Sequence, residues 1–367
     1  MKILITGAHF TPAVATIEQL KKIGNPDLVY VGRRTTREGD NSPSVESQIL
    51  PAMGVKFIPI ITGRLQRDLT IYTVFSLLKI PIGFIQAFFI VLTEKPDIIL
   101  SFGGYVAVPV VIIGWLFSIP VIIHEQTLVS GLANKISSVF ADKIAVSFTE
   151  GTFKGEKVIL TGNPIRLEIL KKNISVNAAH VDGRSKLPNI LIMGGNQGSH
   201  VINLAVEKCL DRLLKLANVY HQTGDSKFKD YERLEKLGGS GKSGGEYQVK
   251  KWIDKEYGEV LQKADLVVSR AGINTVTELA LAGKPVLLIP IPNKEQNKNA
   301  KYFEGLGLAR ILPQSKLSGE ALPENIGTML KSLNHLREKA KKAEAVVIPD
   351  AAKRLALEIM VLAKTAE

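Results

Sequence analysis

Two doubly wound α/β domains are the fold this sequence predicts, and three observations predict it. Short β-branched apolar runs alternate with helical periodicity or loops from Lys2 to Thr161, the pattern of parallel strands joined by covering helices. A polar segment, Lys171 to Pro188, then lacks any apolar face, and the alternation restarts at Asn189. In both halves the strand ends carry glycine, histidine and hydroxyl residues, where open parallel sheets bind their ligands.

In the first half the strands are read at Lys2 to Thr6, Asp27 to Val31, Val55 to Ile60, Asp97 to Ser101, Pro120 to His124, Lys143 to Ser147 and Lys157 to Thr161. Thr6-Gly7-Ala8-His9 follows the first, Phe102-Gly103-Gly104-Tyr105 the fourth and His124-Glu125-Gln126-Thr127 the fifth. Ile71 to Leu92 is a helix with Phe75, Leu78, Ile82, Ile85 and Phe89 on one stripe, so apolar that it is either fully buried or touches a membrane. Tyr105 to Ile123 is uncharged, and Pro109, Gly114 and Pro120 divide it into a loop, a short helix and a strand rather than a membrane span.

The second half opens with strand Asn189 to Met193, the loop Gly194 to Ser199 (GGNQGS) and an amphipathic helix to about Leu216. Strands Asn218 to Gln222 and Tyr247 to Lys250 follow, with the P-loop look-alike KLGGSGKS (Lys236 to Ser243) between them. That segment has Lys236 in place of the required first glycine and follows a polar helix, so it reads as a mobile surface loop. Strand Asp265 to Ser269, a turn on Gly272, a helix carrying Val276, Leu279 and Leu281, a stop at Gly283 and strand Val286 to Ile289 complete a β-turn-α-β unit. From Pro323 the chain is mostly helical, broken at Ile348-Pro349-Asp350. The domains are drawn at residues 1–165 and 166–349, with a terminal helix over 350–367 packing back on the first.

Composition bounds the function. The chain has 367 residues and a net charge of +12, which favours an anionic partner: nucleic acid, an acidic lipid surface or a phosphorylated substrate. Nucleic acid fits worst, because aromatic residues make up only 6% and do not alternate with basic ones. A single cysteine, Cys209, excludes a disulfide framework and favours an intracellular home. No signal peptide or transmembrane span is expected, and without a D-x-D pair, an HExxH motif or a cysteine cluster neither metal nor cofactor is called for.

The residues at the strand ends define candidate chemistry. Backbone N–H groups at Ile273 to Thr275 open a helix and favour an anion, and Glu278 can accept two hydrogen bonds from a sugar diol. The GGNQGS loop lets the backbone approach a phosphate, although it lacks the dinucleotide spacing. Arg166 and Arg270 are fixed cations suited to a diphosphate. His9, with a pKa expected near neutrality, is a candidate general base, and His124 and Glu125 could orient it or the substrate. Each also has a structural reading: a capped helix, a tight turn, a solvated guanidinium, a satisfied core histidine.

Two such domains with glycine loops at their strand ends describe the GT-B glycosyltransferase architecture, facing one another across a cleft; some nucleotide-sugar epimerases share it. The ordered set Thr6 to His9, FGGYV at Phe102, HEQT at His124, GLANK at Gly131, GNPIR at Gly162, GGNQGS at Gly194, HQTG at His221, Trp252-Ile253-Asp254, SRAGINTVTE at Ser269, EQNKNA at Glu295 and IPDAAKR at Ile348 resembles the MurG family of peptidoglycan N-acetylglucosaminyltransferases over nearly the whole chain. The resemblance implies inverting, metal-independent transfer of GlcNAc from UDP-GlcNAc to the MurNAc 4-hydroxyl of lipid I. It implies donor contacts from Thr6, Gly7, Ala8, Thr127 and Arg166, from Asn196 at the phosphates, and from Ile253 at the uracil. Ile273, Asn274, Thr275, Val276 and Thr277 fall on the nucleotide, Glu278 on the ribose and Gln296 on the sugar. Gly103, Gly104, Tyr105, His124 and Asn134 fall on the acceptor, with His9 or Glu125 as base.

Family members lie on the cytoplasmic face of the membrane, making Ile71 to Leu92 and Trp115 candidates for contact with an anionic inner surface. The chain departs from the family in its first loop, two residues shorter with Ala8 for a glycine, in Thr127 for asparagine and in Asn196 for serine. Another lipid acceptor for a UDP-sugar, or a non-catalytic UDP-sugar or lipid binder, therefore stays open.

Overall fold

A computed structural model describes residues 1–35, 44–63, 71–165, 187–195, 198–225, 228–240, 244–253 and 256–365. The chain divides into two units, Met1–Arg166 with Ile348–Glu367, and Leu167–Val347.

The first unit is a seven-stranded parallel sheet of β1 (Lys2–Thr6), β2 (Asp27–Gly32), β3 (Lys56–Pro59), β4 (Ile98–Ser101), β5 (Val121–Glu125), β6 (Lys143–Val146) and β7 (Val158–Leu160), in the order β3-β2-β1-β4-β5-β6-β7. Strand side chains alternate between faces. Ile3 and Ile5 pack with Ile17 and Leu20 of α1 (Phe10–Ile23), while Leu4 packs with Ile99 and Ile123 on the opposite face. The C-terminal helix Ala351–Thr365 joins the first face through Leu355, Ala356 and Ile359. The strand order reverses between β1 and β4, whose ends Thr6 and Ser101 are paired in register, so loops 7–9 and 102–105 flank the switch point.

The helix Ile71–Glu94 settles the choice between burial and exposure for its apolar stripe. Ala87 and Val91 are buried, but Leu78 is 66% exposed, Phe89 59%, and Ile82, Ile85 and Leu92 are exposed as well. The surface continues through Phe117, its ring 5.5 Å from that of Phe88, to exposed Trp115, Leu116, Leu132 and Val139. Among the described residues no helix is long and apolar enough to cross a membrane. Tyr105 to Ile123 divides into a loop, the helix Ala107–Leu116 and strand β5 as expected, and Pro109 sits in the helix's first turn, which has no partner for its missing N–H.

The second unit is also a seven-stranded sheet, ordered β10-β11-β9-β8-β12-β13-β14 from β8 (Asn189–Met193), β9 (Asn218–Gln222), β10 (Gly239–Ser240), β11 (Glu246–Lys250), β12 (Leu266–Ser269), β13 (Val286–Leu288) and β14 (Ala309–Ile311). Its order reverses between β8 and β12, whose ends Met193 and Ser269 are paired. One core collects Ile190 and Ile192 with Ile202, Val206 and Leu213 of the helix His200–Leu214 and with Leu322, Ile326 and Met329. Part of the segment read as a mobile loop is structured: Gly239 and Ser240 pair antiparallel with Tyr247 and Glu246. A two-residue glycine-containing strand has no side-chain alternation to betray it. The polar linker lies outside the described residues except for 187 and 188.

Candidate functional site

At the first switch point the β1 and β4 loops are tied together. Phe102 N donates to Thr6 O at 2.8 Å, Ala8 N donates to Gly103 O at 3.0 Å, and the Gly7 carbonyl accepts from the Tyr30 hydroxyl at 2.9 Å. Gly103 has φ +71°, and a Cβ there would fall 2.5 Å from Asn134 Oδ1, so a glycine is what brings Asn134 against the loop. Gly104 lies against the Ala8 methyl, and Tyr105 is half-buried against the outer core.

His9 precedes α1 in extended conformation, and its side chain does not cap the helix. Burial, with the Arg33 guanidinium as the second cause, lowers its pKa to about 4. The near-neutral value expected from sequence is corrected accordingly: the ring is a neutral acceptor at physiological pH, but a weaker base than a free imidazole.

His124 is buried, and its Nε2 donates to the Gly162 carbonyl at 3.0 Å. Nδ1 is thus left as an acceptor, buried and without a partner. Burial brings this pKa also to about 4, with the field of His9 acting in the same direction. Glu125 is buried as well. Its Oε1 accepts from Thr127 N at 2.9 Å and Thr127 Oγ1 at 2.8 Å, and its Oε2 accepts from Asn134 Nδ2 at 3.0 Å. A carboxylate engaged on both oxygens organises its neighbours, and the Thr127 hydroxyl lies 2.8 Å from both Glu125 Oε1 and Val129 O. Beside these, Thr6 Oγ1, Asn134 Oδ1, Gln126 Oε1 and Ser137 Oγ are buried polar atoms without a partner. Gln126 stands in the HEQT motif without an assigned role, and Ser137 carries no sequence signal. Such a concentration of unsatisfied polar atoms is expected where a polar ligand docks.

At the second switch point the helix Ile273–Leu281 starts on Gly272, and its first internal bond is Val276 N to Gly272 O at 3.0 Å. The N–H groups of Ile273, Asn274 and Thr275 precede that bond. Val276 and Thr277, expected on the nucleotide, turn inward instead: Val276 is wholly buried, and the Thr277 hydroxyl donates to Ile273 O at 2.8 Å. In a helix that packs on a sheet, one stripe must face the core. Glu278 is 2% exposed, and its Oε2 accepts from the Tyr257 hydroxyl at 3.1 Å. Gln296 uses Oε1 to accept from Ala271 N at 3.2 Å and Ile291 N at 3.0 Å.

Arg270 is buried, its Nε donating to Ser199 Oγ at 3.0 Å and its Nη1 to Ile289 O at 2.9 Å. No carboxylate among the described residues pairs with it. Burial lowers its pKa from the usual guanidinium value. Ile253 is buried, with its N–H on Gln222 Oε1 at 3.0 Å. Arg166 and Asn196 lie outside the described residues. Thr6, Gly7, Ala8 and Thr127, read as donor contacts, belong to the first unit, and the remaining described donor residues to the second. Among the described residues no three His, Cys, Asp or Glu side chains gather as a metal site.

Comparison with known proteins agrees with this arrangement. The glycosyltransferase family 28 N-terminal domain matches residues 6–146, and the glycosyltransferase family 28 C-terminal domain matches residues 189–355. The UDP-N-acetylglucosamine--N-acetylmuramyl-(pentapeptide) pyrophosphoryl-undecaprenol N-acetylglucosamine transferase of Clostridium botulinum (strain 657 / Type Ba4) is 36% identical over 347 residues, covering 92% of this chain and 91% of that protein. Its counterpart in Clostridium kluyveri is 34% identical over 355 residues, covering 94% and 95%. The crystal structure of Acinetobacter baumannii MurG superposes with a TM-score of 0.76 at 27% identity, covering 98% of this chain and 99% of that one. A UDP-GlcNAc 2-epimerase from Neisseria meningitidis, at 14% identity and TM-score 0.66 over 98% of this chain and all of that one, shares the fold.

Proposed function

The chain belongs to glycosyltransferase family 28, and we propose that it transfers GlcNAc from UDP-GlcNAc to the 4-hydroxyl of MurNAc in lipid I, the step that yields lipid II in peptidoglycan synthesis. The observation that carries the donor half is Arg270, a buried guanidinium held by Ser199 and Ile289 O with no acid partner among the described residues. A buried charge with no carboxylate partner among the described residues calls for an anion, and a helix N-terminus opens three residues on, at Ile273.

The residues divide the reaction. His9 takes the acceptor hydroxyl proton as the oxygen attacks the anomeric carbon. The bond from that carbon to the UDP oxygen breaks with inversion, and Arg270 with the N–H groups of Ile273 to Thr275 stabilises the departing diphosphate. Glu278, fixed by Tyr257, holds the ribose hydroxyls, and the Gln296 side-chain NH₂ serves the sugar. His124 Nδ1 and Asn134 Oδ1 accept hydrogen bonds from the acceptor, with Gly103 and Gly104 shaping its loop. Arg166 and Asn196 add to the diphosphate contacts.

The exposed apolar surface over Leu78 to Leu92 and Trp115 to Phe117 seats the protein peripherally on the cytoplasmic face of the membrane, aided by the net charge of +12 on anionic lipid. The test is UDP release from UDP-GlcNAc with a short-chain lipid I. Release only with another lipid acceptor would change the acceptor, a reading favoured by the Thr127 hydroxyl being taken up by its own loop, between Glu125 Oε1 and Val129 O. Donor binding without release under any acceptor would make the protein a binder.

A further inference from the structure

We infer that Gln222 is a positioning residue that sets the spacing between the two loops of the nucleotide site. This rests on the reading of the second unit as the UDP-sugar site. Gln222 ends β9 and is 4% exposed, and both ends of its amide are engaged. Its Oε1 accepts from Ile253 N at 3.0 Å, and its Nε2 donates to Gly195 O at 3.3 Å. Gly195 belongs to the glycine loop assigned to the phosphates and Ile253 to the segment assigned to the uracil, so one planar amide spans the two. Its orientation is set by chemistry, because a backbone N–H must meet the oxygen and a carbonyl the NH₂.

The strand end that carries Gln222 is itself immobilised. Gly198, φ +72°, lies so close to the next residue that a Cβ there would fall 1.7 Å from Thr223 O, and Thr223 N donates to Lys250 O at 3.0 Å. Below it, Asn203 donates to Thr223 O at 3.0 Å and to Asp230 Oδ2 at 3.0 Å. Asn203 Oδ1 accepts from His221 Nε2 at 3.0 Å, and His221 Nδ1 accepts from the Tyr247 hydroxyl at 2.8 Å. A satisfied buried network of this kind gives the amide a rigid mount, from which a lost hydrogen bond is transmitted to the loops rather than absorbed by the strand.

The test compares UDP and uridine binding by calorimetry on the full chain, with thermal unfolding as the check on folding. Gln222→Met keeps the length of the side chain and removes both bonds; UDP and uridine should each bind about tenfold more weakly. Gln222→Glu restores an acceptor for Ile253 N but not a donor for Gly195 O. Uridine affinity should return close to the unsubstituted level while UDP affinity does not. Uridine carries no phosphate, so the added negative charge does not obscure that arm. A folded Gln222→Met protein binding both ligands undiminished, or a folded Gln222→Glu protein failing to recover uridine, overturns the inference. An unsubstituted protein that binds neither ligand overturns the nucleotide reading and the spacing role with it.

Discussion

Replacing His9 by alanine should lower turnover by about 10²-fold, towards the lower end of the range for a positioned general base. The magnitude follows from the surroundings of the ring. Its pKa falls from an ordinary 6.5 to about 4, first through burial and then through Arg33, so at neutral pH the acceptor form is essentially complete while its intrinsic basicity is reduced. UDP affinity should be unchanged, because Arg270, Glu278 and the Ile273 N-terminus belong to the other unit. The assay is UDP release at saturating donor and lipid I, repeated across pH. The acid limb of kcat/KM, which reports the free enzyme, should lie well below 6.5, and Arg33→Gln should move it upward by removing the second cause of the depression. Glu125→Gln should act differently, raising KM for the acceptor, because its oxygens hold Thr127 and Asn134. A His9→Ala enzyme that keeps most of its turnover, with Glu125→Gln abolishing it, would refute the assignment of the base.

Glu278→Ala should weaken UDP binding by roughly 1.5 to 3 kcal/mol, and Tyr257→Phe by roughly 0.5 to 1.5 kcal/mol; calorimetry decides both. Stability should fall with acidification. Buried His124 and His221 have folded pKa values lowered by burial to about 4 and about 3, so their stabilisation is full above the unfolded value of 6.5 and is lost as pH falls below it, when the unfolded chain takes up protons the fold refuses. Each contributes on the order of 1 kcal/mol per pH unit over that window, and urea midpoints at neutral pH and near pH 5 would show it; coincident midpoints would contradict it. Binding to anionic vesicles should weaken with salt yet persist, since the exposed Leu78, Ile85 and Phe89 surface is not screened; Phe89→Glu should reduce the persistent part in a flotation assay.

Strands buried on both faces were legible because they are nearly continuous β-branched runs, as in Ile3-Leu4-Ile5, Ile98-Ile99-Leu100 and Val267-Val268. Two edge elements were not: Gly239–Ser240 and Ala309–Ile311 are too short to carry a period, and their pairing is supplied by a neighbouring strand. Polar residues at strand ends were legible as site candidates, since His9, His124 and Glu125 end or follow apolar runs, and Glu278 lies on the helix that follows one. Their states were not. The pKa of His9 depends on Arg33 at the end of a different strand, the Glu125 carboxylate is partly committed to Asn134, and the span of Gln222 joins segments far apart in sequence. Val276 shows the reverse failure. It sits inside a motif attached to the nucleotide, yet helical phase sends its side chain to the core.

The same physical cause, burial, leaves different charge states at the two switch points, and the starting pKa of each residue type decides which. An imidazole begins close to neutrality, so withdrawing His9 and His124 from water is enough to discharge them and leave proton acceptors in the first unit. A guanidinium begins far above neutrality, so withdrawing Arg270 lowers its pKa without discharging it at physiological pH. What remains there is a fixed cation whose partners among the described residues are Ser199 and a backbone carbonyl. Glycosyl transfer asks for this division: an uncharged acceptor where a hydroxyl loses its proton, and a permanent positive charge where a diphosphate departs. Arg270→Met should therefore leave the fold intact, because it replaces a buried charge that no carboxylate pairs among the described residues by an apolar chain of similar length, while UDP affinity falls by roughly 1.5 to 3 kcal/mol. Equal UDP affinity in Arg270→Met and the unsubstituted protein would show that the guanidinium serves only to join Ser199 to Ile289.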